Sequence, residues 1–322
     1  PETQTADAAL QQQLTRLTRA SALDAVRLGR IVTDGRWDVG RIASHVRQAV
    51  EAAPLHTVPF PHIVVDGLLP ADAFQLLADA IPPEDFFDGD DPRHLDLKSP
   101  ERAIMPVFAK AVWTSFSRDI VRGVLGAALA ARFRPLLRDY LRLSVGDELV
   151  DEAVALPLQT RGLRLMLRRP GWKLPPHLDP RDQFMTTLLY FPAPGDPEAH
   201  GTQLFRVDRK DFVASWANTY YPEAEGLRCE LVKTVPFRGN LCLSFLNLGG
   251  AHGAELPVEA GPADMKRLAF QFYIGPDRTP LNALIDRLDE ERRTAWTRRV
   301  KKGDRERLGQ PLVESPRPRS FA

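Results

Sequence analysis

The second half of the chain is patterned as short apolar segments separated by turns. Beyond residue 160, apolar runs alternate with Pro- and Gly-rich turns, and they cover residues 161–169, 183–192, 202–207, 229–237, 240–247 and 266–274. Short strands at this spacing, without helical patterns between them, are typical of an all-β sandwich or barrel. The pattern therefore predicts a β core, most simply a double-sheet jelly roll.

Helical periodicity dominates the first half. In chain order, the pattern predicts helices over 6–31 and 39–52, a strand over 60–66, a helix from Pro70 to Ile81, a polar loop over 82–100, and helical segments over 101–143 with breaks near Gly123, Gly126 and Pro135. A final helix is predicted over 281–302, followed by a polar, Pro-rich tail.

These patterns predict an α+β fold with a mainly β core. We expect three parts: an N-terminal helical segment over 1–57, a domain over 58–276 whose β core begins near residue 160, and a C-terminal helix and tail over 277–322. Residues 208–228 interrupt the β pattern with an aromatic-rich insertion, which is either packing beneath a loop or a lid over a substrate.

The composition of the chain limits the kinds of binding partner and cellular location that we expect. The chain has 322 residues, of which 43% are hydrophobic and 26% charged, with a net charge of +1. A near-neutral chain does not favour nucleic acid or an anionic membrane. The chain has two cysteines, Cys229 and Cys242, too few for a disulfide framework, and no apolar run as long as a membrane span. We therefore expect a cytoplasmic protein that acts on a small molecule, with its oligomeric state left open.

Candidate chemistry begins at His177-Leu178-Asp179, which lies between two apolar runs. In extended chain, residues two apart face the same side. One imidazole and one carboxylate are two thirds of the facial triad that binds Fe(II) in non-haem oxygenases. The tripeptide recurs at His94-Leu95-Asp96, in a polar, turn-rich stretch that predicts a solvated loop. Metal ligands must be held by rigid secondary structure, so the copy at His177 and Asp179 is the better candidate.

Three residues downstream extend the motif. His252 follows a strand-like run and supplies a second imidazole. Arg267 heads an otherwise apolar run, where a buried charge needs an anionic partner such as a carboxylate. Tyr190 ends the run after His177 and Asp179, where its hydroxyl can contact the same carboxylate.

In this order the pieces resemble the Fe(II)- and 2-oxoglutarate-dependent dioxygenases, in the prolyl-hydroxylase-like subset with a double-stranded β-helix. The matching segments are 60–66, 170–171, 176–179, 186–191, 201–204, His252 and Arg267, within about residues 58–276. The resemblance implies that His177, Asp179 and His252 bind iron and that Arg267 and Tyr190 hold the distal carboxylate of 2-oxoglutarate. Gln271, on the strand face of Arg267, matches a polar residue that is common in the family.

The chain also departs from the family pattern. Arg169 stands where the family often has Tyr, so the second contact to 2-oxoglutarate is open, with Arg168 or Arg169 as replacements. Because Asp179 is present, the halogenase arrangement, which replaces this carboxylate, is disfavoured. His62, within an apolar strand, is best interpreted as a hydrogen-bonded core histidine.

The resemblance implies a hydroxylase that uses Fe(II), 2-oxoglutarate and O2 to oxidise an unactivated C–H bond of a small molecule, releasing succinate and CO2. Two alternatives remain: desaturation or epimerisation at the same iron, or a non-catalytic ligand-binding β-helix protein. The sequence does not separate hydroxylation from desaturation or epimerisation.

Overall fold

A computed structural model describes residues 37–88, 93–97, 105–208, 219–247, 249–259 and 265–297. The chain forms eleven strands within these ranges: β1 (Leu55–His56), β2 (His62–Val65), β3 (Arg93–Asp96), β4 (Leu158–Arg168), β5 (Lys173–His177), β6 (Met185–Tyr190), β7 (Thr202–Val207), β8 (Cys229–Val235), β9 (Cys242–Leu246), β10 (Ala251–Glu255) and β11 (Arg267–Pro276).

The helices of the described ranges flank the strands. They are α1 (Val39–Ala52), α2 (Ala71–Asp79), α3 (Val107–Ser115), α4 (Gly126–Val145), α5 (Val150–Ala155), α6 (Arg278–Ile285) and α7 (Glu290–Thr297), with a π-helical segment (Phe116–Leu125) joining α3 to α4. Short 3-10 turns occupy Glu84–Phe86, Glu198–His200 and Pro222–Glu225. In this part of the chain, none of the helices is both long and apolar enough to cross a membrane.

Two antiparallel sheets form the core. The larger has the order β1-β2-β9-β6-β11-β4-β3, and the smaller has the order β5-β10-β7-β8. The eight consecutive strands β4 to β11 thus contribute four members to each sheet, and the chain passes between the sheets as it winds. This is the topology of a double-stranded β-helix, so the predicted fold class is confirmed.

The helices cover the outer face of the larger sheet. Trp113 and Phe116 both contact Phe270 of β11, with ring centroids 5.5 and 5.4 Å away. Every residue of β6, β9 and β11 is buried, because one face meets the helices and the other faces the smaller sheet. Strands covered on both faces are continuously apolar rather than alternating, which explains the unbroken runs in the sequence.

Most predicted elements are present, with three corrections. The expected loop over 82–100 contains β3, which pairs with β4 and buries Leu95. The helix expected over 281–302 is two helices, α6 and α7. Pro135 lies inside α4 without breaking it. The helix expected over 6–31 and the C-terminal tail lie outside the described residues.

Candidate metal site

The three predicted metal ligands lie together on the smaller sheet. His177 ends β5 and is the direct register partner of His252 on β10, so strand pairing sets the two imidazoles side by side. Asp179 lies two residues beyond His177, which returns its side chain to the same face. One ligand atom from each residue lies within 4.8 Å of the others.

The polar atoms of the three residues converge. Nε2 of His177 is 3.8 Å from Oδ1 of Asp179, and Nε2 of His252 is 3.5 Å from Oδ2. The ring centroids of the two histidines are 4.1 Å apart. No more than 7% of any of the three side chains is exposed, so the cluster is shielded from bulk water.

Burial keeps both imidazoles neutral. It lowers the pKa of His177, an effect that the negative charge of Asp179 opposes. The pKa of His252 falls well below its usual value through burial and the neighbouring His177. Nδ1 of His177 donates to the carbonyl of Pro175 at 3.0 Å, which leaves the Nε2 lone pair directed at the cluster. Metal-binding histidines are commonly oriented in this way.

These groups fit a divalent cation. Two neutral imidazoles and one carboxylate give a buried site with net negative charge and several converging lone pairs, which is costly without a cation. Two histidines and one carboxylate on one face, with the opposite side open to a cavity, form a facial triad of the kind that binds Fe(II).

The second His-x-Asp copy is not part of this cluster. His94 and Asp96 lie on β3 at the edge of the larger sheet, and within the described ranges only His177, Asp179 and His252 are grouped as metal ligands should be. The prediction of a solvated loop there is wrong, because pairing with β4 half-buries His94 and places Asp96 in the cavity wall.

Arg267 is a buried cation without a carboxylate partner in the part of the chain that is described. It is 3% exposed, and its Nε and Nη2 donate to the carbonyl of His200 at 2.8 Å and to Oγ1 of Thr202 at 3.2 Å. Its guanidinium lies 5.6 Å from the ring centre of Tyr190, whose hydroxyl donates to the same Thr202 oxygen at 2.7 Å. Neutral acceptors alone balance this charge poorly.

The other two predicted cosubstrate contacts have different surroundings. Gln271 lines the cavity on the face of Arg267, as expected, and its Oε1 accepts hydrogen bonds from Arg164 and Tyr273. Arg169 instead forms an ion pair with Glu84, a residue outside the cavity wall.

A cavity of about 950 Å³ connects these groups. It is lined by the triad, by Arg267 and by further residues of β4 and β11, so it lies between the two sheets. From the 208–228 insertion, Thr219 and Tyr221 line it, and the ring of Tyr221 lies 5.8 Å from that of His177. Residues 209–218 of the insertion lie outside the described ranges.

The sequence did not single out Arg164 and Tyr273, which form a polar cluster in the wall. Nε of Arg164 donates to Gln271 at 2.8 Å, and Nη2 donates to the hydroxyl of Tyr273 at 2.7 Å. The only signal for Arg164 was the alternation of Arg with Leu along β4, which is equally typical of a solvated strand face, and Tyr273 lies within the apolar run of β11.

The chain matches no protein-family model, and comparison with curated proteins gives no match. Among solved structures, it is similar to SnoK, a non-haem α-ketoglutarate-dependent carbocyclase from nogalamycin biosynthesis, with 10% identity over 73% of this chain and 86% of that one and a TM-score of 0.39. It is similar to a prolyl 4-hydroxylase from Phytophthora capsici, with 16% identity over 80% and 77% of the chains and a TM-score of 0.40.

A third similar structure is HygX from Streptomyces hygroscopicus with nickel, 2-oxoglutarate and hygromycin B bound, with 14% identity, coverage of 67% and 83%, and a TM-score of 0.34. Similarities at these values do not assign a function. The strand order and the His-x-Asp…His cluster of this chain nevertheless confirm the predicted resemblance to Fe(II)- and 2-oxoglutarate-dependent oxygenases in fold and triad.

Proposed function

We propose that the protein is an Fe(II)- and 2-oxoglutarate-dependent oxygenase that hydroxylates an unactivated C–H bond of a small molecule. One observation carries the proposal. A buried His-Asp-His triad and a buried arginine without a carboxylate partner in the described chain line the same cavity. The triad is a site for a cation, and Arg267 is a site for the carboxylate of an organic ligand that reaches it.

His177, Asp179 and His252 would hold the iron and leave its remaining positions open to the cavity. Arg267 would bind the distal carboxylate of 2-oxoglutarate. Tyr190 acts through Thr202, whose hydroxyl accepts hydrogen bonds from both Tyr190 and Arg267. When bound, iron and 2-oxoglutarate supply the oxidising chemistry, in which O2 is consumed and succinate and CO2 are released.

The remaining wall would position the substrate and exclude water. Leu188 and Met166 supply apolar surface beside Arg267 and the triad, and Tyr221 covers His177. These apolar groups lie among many polar and charged side chains, which favours a polar small molecule as substrate. The size of the cavity favours a small molecule over a folded protein as substrate.

The test is succinate release from 2-oxoglutarate by the Fe(II) protein with ascorbate and pooled metabolites. We expect substrate-stimulated succinate formation that is lost in His177→Ala, Asp179→Ala and His252→Ala, together with bound iron, while circular dichroism is unchanged. His94→Ala, in the second copy of the motif, is the control and should keep both iron and turnover.

Isotope labelling separates the reaction types. Incorporation of one atom from ¹⁸O2 into the product supports hydroxylation, whereas a product without ¹⁸O indicates desaturation or epimerisation. Iron binding without any 2-oxoglutarate turnover would favour a non-catalytic ligand-binding protein. Loss of activity in His94→Ala but not in His177→Ala would contradict the site assignment.

A further inference from the structure

The wall of the cavity has more positive than negative side chains. Its cations are Arg161, Arg164, Arg168, Lys173, Arg267 and Arg278, and its carboxylates are Asp96, Asp179 and Asp277. Asp179 belongs to the metal triad, and Arg267 is committed to 2-oxoglutarate in the proposed function. The rest of the wall keeps a positive excess, and a cleft lined by one sign of charge concentrates ligands of the opposite sign.

Several of the remaining cations have carboxylate partners at the edge of the cavity. Arg161 and Arg278 share Asp182, with closest ion-pair distances of 3.5 and 3.0 Å. Lys173 lies 3.5 Å from Glu255. These three cations are therefore at least partly neutralised by the protein.

Arg164 differs from them, because its side-chain hydrogen bonds all go to neutral groups, although the wall carboxylate Asp96 is its register partner on β3. Nε donates to the amide oxygen of Gln271, Nη2 donates to the hydroxyl of Tyr273, and that hydroxyl lies 3.2 Å from the same amide oxygen. Arg164 forms no ion pair with any residue that the structure describes, and its Nη1 makes no hydrogen bond to those residues. A partly buried guanidinium in this state is complementary to an oxyanion.

The backbone of β4 directs Arg164 into the cavity. Leu163, Leu165 and Leu167 are buried in the helix-covered core, so the alternate residues Arg164 and Met166 face the other way and line the cavity. Gly162, with φ of +63°, makes room for Tyr273, because a Cβ there would lie 2.7 Å from its ring.

The cluster is within electrostatic reach of the metal site. Burial raises the pKa of Tyr273, the negative charge of Asp179 raises it further, and the positive charge of Arg164 opposes both. On the same face of β4, Arg168 lies 5.0 Å over the ring of Trp172 and adds a second positive charge to the wall.

We propose that Arg164, held in place by Gln271 and Tyr273, binds an oxyanion of the oxidised substrate, a carboxylate or a phosphate ester. This inference rests on the proposed function and assigns its substrate class: small anionic molecules whose charged end lies on β4 and whose C–H bond faces the triad. The anion is distinct from the carboxylate of 2-oxoglutarate, which Arg267 receives.

Isothermal titration with matched probe pairs tests this assignment. The probes are 4-phenylbutanoate against 4-phenylbutanamide, and phenyl phosphate against phenol. They are titrated into protein loaded with Ni(II) and saturating 2-oxoglutarate, which occupies the Arg267 site without turnover, and also into metal-free protein. The variants are Arg164→Gln, Arg164→Lys and, as a matched control, Arg206→Gln, which removes an exposed arginine that pairs with Glu230 on the outer strand β8.

We expect the loaded protein to bind one of the anions at least about tenfold more tightly than its neutral counterpart, the scale of one charge-assisted pair. Arg164→Gln should abolish this preference, Arg164→Lys should keep part of it, and Arg206→Gln should keep all of it. The pair that shows the preference distinguishes a carboxylate from a phosphate substrate.

Equal binding of each anion and its neutral counterpart, or no binding of either anion, would overturn the inference. So would an Arg164→Gln protein that loses 2-oxoglutarate affinity as strongly as Arg267→Ala, because Arg164 would then belong to the cosubstrate. Failure of the proposed function looks different: wild-type protein takes up neither Ni(II) nor 2-oxoglutarate. The metal-free titration still decides in that case, and the anion site stands only if the preference persists there and depends on Arg164.

Discussion

The carboxylate of Asp179 accepts a 2.6 Å hydrogen bond from the hydroxyl of Thr186, a fully buried residue of β6. The metal ligand follows a strand of the smaller sheet, while the group that orients it belongs to the larger sheet. A short hydrogen bond to a carboxylate is charge-assisted, and this one holds the carboxylate of Asp179 in a fixed orientation beside the two imidazoles.

Thr186→Val should weaken metal binding without removing a ligand. The substitution keeps the shape of the side chain but leaves Oδ2 of Asp179 without its donor. Loss of such outer contacts typically lowers metal affinity by about 10–100-fold. Titration of metal-free protein with Ni(II) measures the effect, and Thr186→Ser, which keeps the hydroxyl, is the control. Equal affinity of the valine variant and wild type would show that Thr186 does not orient Asp179.

Arg267→Ala should weaken 2-oxoglutarate binding by on the order of 2–5 kcal/mol, the cost of breaking a desolvated charge-assisted pair. Arg267→Lys keeps the charge but loses the bidentate fork, so its loss should be smaller. Tyr190→Phe should cost about 1 kcal/mol, because its hydroxyl acts through Thr202.

Anaerobic titration of the Fe(II) protein with 2-oxoglutarate, followed by its charge-transfer absorption, measures these changes. Iron affinity is the internal control, since neither Arg267 nor Tyr190 contacts the triad. An unchanged dissociation constant in Arg267→Ala would remove the cosubstrate assignment.

Tyr221→Leu should uncouple the reaction. The tyrosine is 5% exposed and lies against His177 in the cavity wall, so its loss leaves the substrate poorly placed while Arg267 and the triad remain. We expect roughly tenfold less oxidised product per succinate, with substrate-independent decay of 2-oxoglutarate unchanged.

Tyr220→Leu is the matched control for Tyr221. Its side chain packs with Leu178, Phe205 and Ala251 and does not line the cavity. This variant should lower the melting temperature and leave the ratio of product to succinate intact. Equal uncoupling by both variants would assign Tyr221 a structural role alone.

His62 should make the metal-free protein less stable in mild acid. Nδ1 donates to the carbonyl of Phe60, Nε2 accepts from Lys233, and burial is the main cause that lowers the pKa of His62 to about 4, with smaller effects from Lys233 and His56. Unfolded histidine titrates near 6.5, so between pH 6.5 and 4 the unfolded chain binds a proton that the folded chain does not. The free energy of unfolding therefore falls as the pH falls, by about 2–3 kcal/mol in total.

Urea denaturation of metal-free wild type and His62→Gln at pH 7.5 and 5 checks this prediction. His177 and His252 also titrate, but they do so in both proteins, so the difference between the two pH dependences isolates His62. Identical pH dependences would contradict the assignment of a neutral buried imidazole.

The sequence predicted those strands well that are buried on one face or on both faces. All six apolar runs correspond to strands: β4, β6, β7, β8, β9 and β11. The two core strands it missed, β5 and β10, carry the histidines. Pro175 and Pro176 argue against a strand, but β5 lies at the edge of its sheet, where proline is tolerated.

The composition of β10 is explained by tertiary contacts that the sequence does not reveal. It is built from small residues, and a Cβ at Gly253 would lie 2.7 Å from the carbonyl oxygen of Leu174 on the neighbouring strand. The strand at Arg93–Asp96 was predicted as a loop for a related reason: it is formed by pairing with β4, which is distant in sequence.

The triad was predictable from residue order, because a His-x-Asp between two apolar runs, followed by a histidine after a later run, is a recognisable combination. The polar cluster of Arg164 and Tyr273 in the cavity wall was not predictable in this way. Arg164 on β4 looks like any solvated charge until the second sheet encloses the space in front of it, and Tyr273 looks like any strand aromatic.

Because the site is divided between the two sheets, its bound ligands should stabilise the fold as well as take part in the reaction. The metal ligands lie on or next to strands of the smaller sheet, whereas Arg267 lies on the larger sheet. A molecule that binds both the metal and the guanidinium therefore links the two sheets. Separation of the two sheets would break this link, so the binding free energy of the ligand stabilises the packing of the sheets against each other. Metal and cosubstrate together should raise the melting temperature by more than the sum of their separate effects, and slow proteolysis in the loops between the sheets.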